Sequence, residues 1–108
     1  MRTVFQFAPT SDLRRAAAFY RDTLGLEEAW RDGDDTIAFA LPDQLQVMVS
    51  TTAQPAGPMY LVTDLAAWID AHAEVRVVVE RYDIPGGAVA GFADADDNVF
   101  YVFDQPAA

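Results

Sequence analysis

FYRDTLGLEEAWRDGDDTIAFALPD, Phe19 to Asp43, changes its hydrophobic period part-way through, and that change decides the fold. Its first residues complete a helical pattern. Leu13, Ala16, Ala17, Tyr20 and Leu24 recur at spacings of three and four and so line one face of a helix. Ser11 and Asp12 offer N-cap oxygens to the first unpaired N–H groups, and Gly25 supplies the left-handed stop. The spacing predicts a helix over about residues 12–24. From Glu27 the period falls to two. Strands are expected at Glu27 to Arg31, Thr36 to Ala40 and Leu45 to Ser50, separated by turns at DGDD (32–35) and LPDQ (41–44).

Working outward, MRTVFQF at the N-terminus reads as a strand, and the same plan returns after TTAQPAG (51–57), a segment without apolar periodicity that reads as a linker. MYLV (59–62) is a strand. Thr63 or Asp64 caps a shorter helix running to about His72, and Val75 to Glu80, Gly87 to Ala93 and Val99 to Phe103 are three more strands. SDL at 11–13 and TDL at 63–65 each follow a strand and open a helix. The fold class is therefore α+β: two βαβββ units in a single domain of residues 1–108, the first over 1–50 and the second over 58–108. Each unit's helix covers one face of its own sheet, so two units side by side are expected to curve into a cup with the helices outside. Alternation turns Leu45, Val47 and Val49 toward the helix and Gln44, Gln46 and Met48 toward the cup; in the last strand Phe100 and Val102 take the helix side, while Val99, Tyr101 and Phe103 line the cup.

Bulk composition narrows the function classes. The 108 residues carry 17 acids against seven arginines, a net charge of −10, which opposes nucleic-acid binding and favours a cationic ligand. No apolar run approaches the roughly 20 residues of a membrane span. The N-terminus lacks the basic and long apolar regions of a secretory signal, so a cytoplasmic location is expected. The absence of cysteine removes disulfides, thiolate metal sites and cysteine nucleophiles together.

FYRDTLGL (19–26), the repeated D-L helix starts, and DADDN (94–98) ahead of the final strand resemble the vicinal oxygen chelate superfamily, which includes glyoxalase I, extradiol dioxygenases, fosfomycin-modifying enzymes and bleomycin-resistance proteins. The resemblance covers nearly the whole chain. It implies the paired βαβββ fold and a tendency to form homodimers, but no single activity. The family's enzymes hold a divalent metal with a His, Glu or Gln from each of the first, fourth, fifth and eighth strands. Here those positions fall near Phe5, at Gln46 or Met48, between Gly57 and Met59, and at Tyr101. Only Gln46 and Tyr101 are conceivable ligands, and a neutral amide with an un-ionised phenol does not balance a divalent charge. No metal or other cofactor is expected.

Three further features admit both a functional and a structural reading. Asp94, Asp96 and Asn98 match positions 1, 3 and 5 of a calcium loop, but Val99 and Gln105 stand where such a loop needs Gly and Glu. A hairpin turn is expected instead, its side-chain oxygens accepting from nearby N–H groups and Asp97 taking the left-handed conformation. His72, the single histidine, is expected to serve the end of the second helix rather than catalysis. IPGGAVAG (84–91) lacks the strand-loop-helix context of a phosphate cradle, so Pro85, Gly86 and Gly87 read as a hairpin connection.

The expected ligand-binding residues are Phe5, Phe7, Trp30, Gln46, Met48, Met59, Phe92, Tyr101 and Phe103. Aromatic faces and methionines suit a flat or cationic small molecule, with Gln46 orienting it, and Glu27, Glu28, Asp32, Asp34 and Asp35 adding long-range attraction. The first reading is a metal-free, non-catalytic binder resembling the bleomycin-resistance branch, with sequestration of an antibiotic or natural product as its role. The alternative is a metal-independent enzyme acting on a polyketide- or peptide-like intermediate, with Tyr101 or Asp94 as acid or base. A third is a protein-interaction module, which a filled cup would favour.

Overall fold

The computed structural model describes residues 1–106. Among them the chain forms eight strands and two α-helices, an α+β protein. The strands are β1 (Arg2–Pro9), β2 (Glu28–Asp32), β3 (Thr36–Ala40), β4 (Gln46–Ser50), β5 (Gly57–Leu61), β6 (Arg76–Ile84), β7 (Gly87–Ala93) and β8 (Val99–Asp104); the helices are α1 (Leu13–Ala18) and α2 (Leu65–Ala71). The chain divides into two compact units, one of Val4–Ala56 and one of Met1–Thr3 with the segment from Gly57 onward.

In the first unit the strand order is β2-β3-β4-β1, antiparallel except for the parallel pair β1 and β4 that brackets α1. Asp12 caps α1, its Oδ1 accepting from Arg15 N–H at 3.1 Å. The α-helix is shorter than its apolar spacing predicts. After Ala18 it widens into a π-helical turn, Phe19–Thr23, in which Leu24 N–H donates to Phe19 at 3.0 Å, before Gly25 stops it at φ 72°. One face of the sheet buries Ile37, Phe39, Val47 and Val49 against Ala17, with Tyr20 stacked on Phe39 at 5.6 Å between ring centroids. Full burial of Phe39 alone stabilises by about 2–3 kcal/mol.

The second unit repeats the plan in the order β5-β8-β7-β6, with β5 and β8 parallel. Asp64 caps α2, accepting from Ala67 N–H at 3.1 Å, and His72 ends it with its Nδ1 2.7 Å from the Trp68 carbonyl oxygen. Leu65, Ala88, Ala90, Phe92 and Val102 form the buried cluster beneath this helix. Two strands differ from expectation. β5 begins at Gly57, inside the expected linker, and β6 runs four residues past Glu80 because two register shifts, between Val77 and Val79 and between Val79 and Tyr82, break its alternation. Pro85 and Gly86 turn β6 into β7, Gly86 at φ 83°, as the hairpin reading requires.

DADDN is a self-satisfied turn. Asp94 Oδ1 accepts from the Asp96 and Asn98 N–H groups, both at 2.9 Å, Oδ2 accepts from Asn98 Nδ2 at 3.1 Å, and Asp97 sits at φ 66°. These bonds hold the Asp94 carboxyl below its usual range, the backbone N–H groups of Asn98 and Asp96 contributing most. The Asp97 carboxylate also pairs with Arg76.

Candidate functional site

The face of the first unit's sheet turned away from α1 gathers five of the expected residues, four of them partly exposed and Phe7 buried. Parallel pairing of β1 and β4 sets Phe5 opposite Gln46 and Phe7 opposite Met48; antiparallel pairing sets Ala38 beside Met48 and Trp30 beside Ala38. The residues therefore form adjoining rows on one surface. The Trp30 indole N–H donates to Gln46 Oε1 at 2.8 Å, and the Phe5 ring meets Trp30 edge to face at 6.0 Å. An indole can only donate, so this bond fixes which way the Gln46 amide faces and leaves its Nε2 as a donor. Phe5, Trp30, Gln46 and Met48 are all partly exposed, whereas Ala38 below them is buried. A partly exposed surface of two aromatic rings and a thioether with one oriented amide donor results.

The other expected residues are more deeply placed. Phe7, Met59, Tyr101 and Phe103 are 3, 4, 0 and 2% exposed, so they are packed interior in the chain rather than open lining. In the second unit Met59, Tyr101 and Gly91 lie in register across β5, β8 and β7. A Cβ at Gly91 would stand 2.9 Å from Tyr101 Cε1 and 2.8 Å from Val79 Cβ, so glycine makes room for the phenol ring. Burial and the nearby Tyr82 push the Tyr101 phenol up to about 12.

Phe92 requires a correction. It lies on the helix-covered face, 5.1 Å from the Trp68 ring and 5.8 Å from Phe100, and belongs to the core beneath α2. Every second residue of β7 faces the helix, and Ala88 and Ala90 fix that phase. In GAVAGFA the small residues on both faces give alternation little contrast, which is why the sequence misplaces the one large side chain.

The charged rim is partly engaged. Glu28 pairs with Arg31 at 2.9 Å, and that guanidinium holds its carboxyl below the usual range. Asp35 accepts from the Thr36 hydroxyl at 3.0 Å. Of the two buried polar residues among those described, Ser50 and Asp104, sequence reasoning singled out neither. Asp104, 7% exposed at the end of β8, accepts from Leu65 N–H at 2.7 Å and Ala88 N–H at 3.1 Å, tying the start of α2 to the start of β7. Its place at a strand end opposite a helix start was readable from the repeat, but an acid there reads as solvated.

The positions where the resembling enzymes carry ligands offer no imidazole or carboxylate. Gln46 has its oxygen engaged by Trp30, and Tyr101 is buried as a phenol that ionises only at strongly alkaline pH. Among the described residues no group of three or more His, Cys, Asp or Glu side chains is placed to hold a metal ion. The residues present do not fit a divalent cation.

Two βαβββ units, each carrying a helix on one sheet face, define a class of paired-repeat α+β proteins. The chain belongs to the Glyoxalase/Bleomycin resistance protein/Dioxygenase superfamily, whose family profile matches residues 4–105. Solved structures agree in fold. A protein from Legionella pneumophila described as an NAD-dependent benzaldehyde dehydrogenase is 11% identical with a TM-score of 0.73, over 94% of this chain and 97% of that one. A hypothetical protein, BH1468, from Bacillus halodurans C-125 is 12% identical with a TM-score of 0.72, over 96% and 94%. A glyoxalase/bleomycin resistance protein/dioxygenase superfamily member from Vibrio splendidus 12B01 is 18% identical with a TM-score of 0.64, over 96% and 97%. No match was found among curated proteins. No helix among the described residues is long and apolar enough to cross a membrane.

Proposed function

We propose that this superfamily member is a metal-free, non-catalytic binder of a flat aromatic or cationic small molecule, acting by sequestration of an antibiotic or natural product. The observation that carries the reading is the Trp30 to Gln46 hydrogen bond at 2.8 Å beside the Phe5 edge. It converts two flexible side chains into a fixed surface: an indole face for stacking and an amide Nε2 for an acceptor on the ligand. Such preorganisation lowers the ordering cost of binding. Met48 adds a polarisable side chain that adapts to the ligand's outline.

The enzymatic alternative is less well supported by the same geometry. An acid or base working near neutral pH needs a pKa near 7, whereas the Tyr101 phenol is pushed up to about 12 and Asp94 is held low by its turn. The family's tendency to dimerise, together with exposed apolar side chains Val77, Val78 and Tyr82 on β6, supports a homodimer.

Native mass spectrometry and elemental analysis of freshly purified protein, followed by tryptophan-fluorescence titration with ethidium as a flat cationic probe, test the reading. Saturable binding that weakens about tenfold in Trp30→Phe and in Gln46→Leu is expected, corresponding to about 1.4 kcal/mol. Stoichiometric transition metal required for turnover, or binding indifferent to both substitutions, would overturn it.

A further inference from the structure

The two units carry grooves of different size on corresponding helix flanks. Residues of the two repeats correspond at a spacing of 52, as SDL and TDL show. On the flank of α1 and its π-helical turn, Arg15, Ala16, Phe19 and Tyr20 border a groove of about 320 Å³ that reaches Pro9 and Thr10 at the end of β1. The corresponding flank of α2 presents Ala67, Trp68, Ala71 and His72, and its groove, reaching Leu61 and Val62, holds about 740 Å³. Where one repeat places an arginine and a phenylalanine, the other places two exposed alanines. The larger groove lies within the range of about 300–1,000 Å³ common for small-molecule sites.

Its walls point to a ligand chemistry. Trp68 and His72 stack at 4.2 Å with their planes 20° apart, and Trp68 is braced from below by Phe92 at 5.1 Å. The bond between His72 Nδ1 and the Trp68 carbonyl oxygen, at 2.7 Å, holds the imidazole in that stack. The aromatic wall is therefore in place before any ligand arrives. Opposite charges line the same groove: Asp64, whose Oδ1 accepts from Ala67 N–H, and Arg2. Among the described residues neither forms an ion pair within 4.0 Å. A ring in the groove with an ammonium toward Asp64 and a carboxylate toward Arg2 would satisfy both.

We propose that the groove along α2 is a second small-molecule site, distinct from the Trp30 and Gln46 surface, that takes a planar aromatic zwitterion of the size of an aromatic amino acid. The ring extends the Trp68 and His72 stack over Ala67 and Ala71, and the two charged ends bind at Asp64 and Arg2. On the α1 flank Arg15 and Phe19 stand where α2 has Ala67 and Ala71, and the groove they line is the smaller of the two.

The test is a two-dimensional NMR titration of the full chain with L-tryptophan, with indole as the ring without charges. Saturable shifts confined to Ala67, Ala71, His72 and the Trp68 indole are expected. Ala67→Arg with Ala71→Phe, which copies the α1 flank onto α2, should weaken binding at least about tenfold while the Trp30 indole resonance stays in place. Arg2→Gln and Asp64→Asn, the latter retaining the N-cap, should each weaken L-tryptophan about three- to tenfold without changing indole. Absence of saturation by about 5 mM, equal binding to the filled variant, or equal affinity for indole and L-tryptophan would overturn the proposal. Shifts confined to the Trp30 indole would also overturn it, while leaving the first site's reading intact.

Discussion

Asp104 is a buried acid whose work is structural, because each of its oxygens accepts from a backbone N–H belonging to a different element. Asp104→Ala leaves two donors unpaired, at about 1–3 kcal/mol each, so a loss of about 3 kcal/mol in urea denaturation is expected. Asp104→Asn keeps one carbonyl oxygen and should lose less; equal losses would mean that the bond Asn retains contributes nothing. Tyr101 supplies a pH signature of opposite origin. Its phenol is raised from 10.0 to about 12 by burial and by Tyr82. The neutral form is therefore favoured in the folded state, and that contribution is fully present below pH 10 and is lost as pH rises toward 12. Unfolding curves from pH 8 to pH 12 should show the wild type falling relative to Tyr101→Phe above pH 10, whereas parallel profiles would refute the assignment. At this scale the sequence was readable wherever the chemistry was local. Asp12, Asp64 and Asp97 take the cap and turn roles that their positions imply. The bond between Trp30 and Gln46 was not readable, although both residues were placed on one face, because it depends on the register of three strands.

Among the elements, legibility followed contrast. In β4 the apolar Val47 and Val49 alternate with Gln46 and Met48, so period two identifies the helix-facing side, and the buried cluster under α1 contains those two valines. In β7 the sequence GAVAGFA offers almost no contrast, and Phe92 was assigned to the wrong face. The β6 register shifts hide the last four of that strand's nine residues by breaking the alternation between Val77 and Tyr82. The π-helical turn in the α1 region was equally hidden, since spacings of three and four continue through it. The start of β7 is fixed more tightly than its small residues suggest. A Cβ at Gly87 would lie 1.9 Å from the Asp104 carbonyl oxygen and 2.7 Å from its Oδ1, both on a strand that cannot retreat without losing its ladder. Gly87→Ala should therefore unpair the end of β7 from β8 and cost at least about 2 kcal/mol, read as a lowered denaturation midpoint. Amide exchange should rise first at Ala88. An unchanged midpoint would show that the close approach relaxes freely.

Across the whole molecule, charge separates two events that the proposed function combines. The net charge of −10 repels a second copy and attracts a cation, so salt should move dimerisation and ligand capture in opposite directions. Raising ionic strength from about 0.01 M to about 0.1 M shortens the screening length from about 30 Å to about 10 Å, which weakens both long-range effects. Apolar burial is little affected over this range. Val77, Val78 and Tyr82, 44, 38 and 38% exposed on β6, would give the proposed association an apolar contribution that screening leaves in place. Native mass spectrometry and light scattering should therefore find twice the chain mass, with the dimer already dissociating at higher protein concentration when salt is removed. Ethidium should behave oppositely, binding several-fold faster at low salt, while an uncharged flat aromatic shows almost no change. A dimer strengthened by low salt would mean that paired charges hold it together rather than apolar contacts. Ethidium binding indifferent to salt would assign its affinity to the Trp30 surface alone, with the acidic field making no contribution.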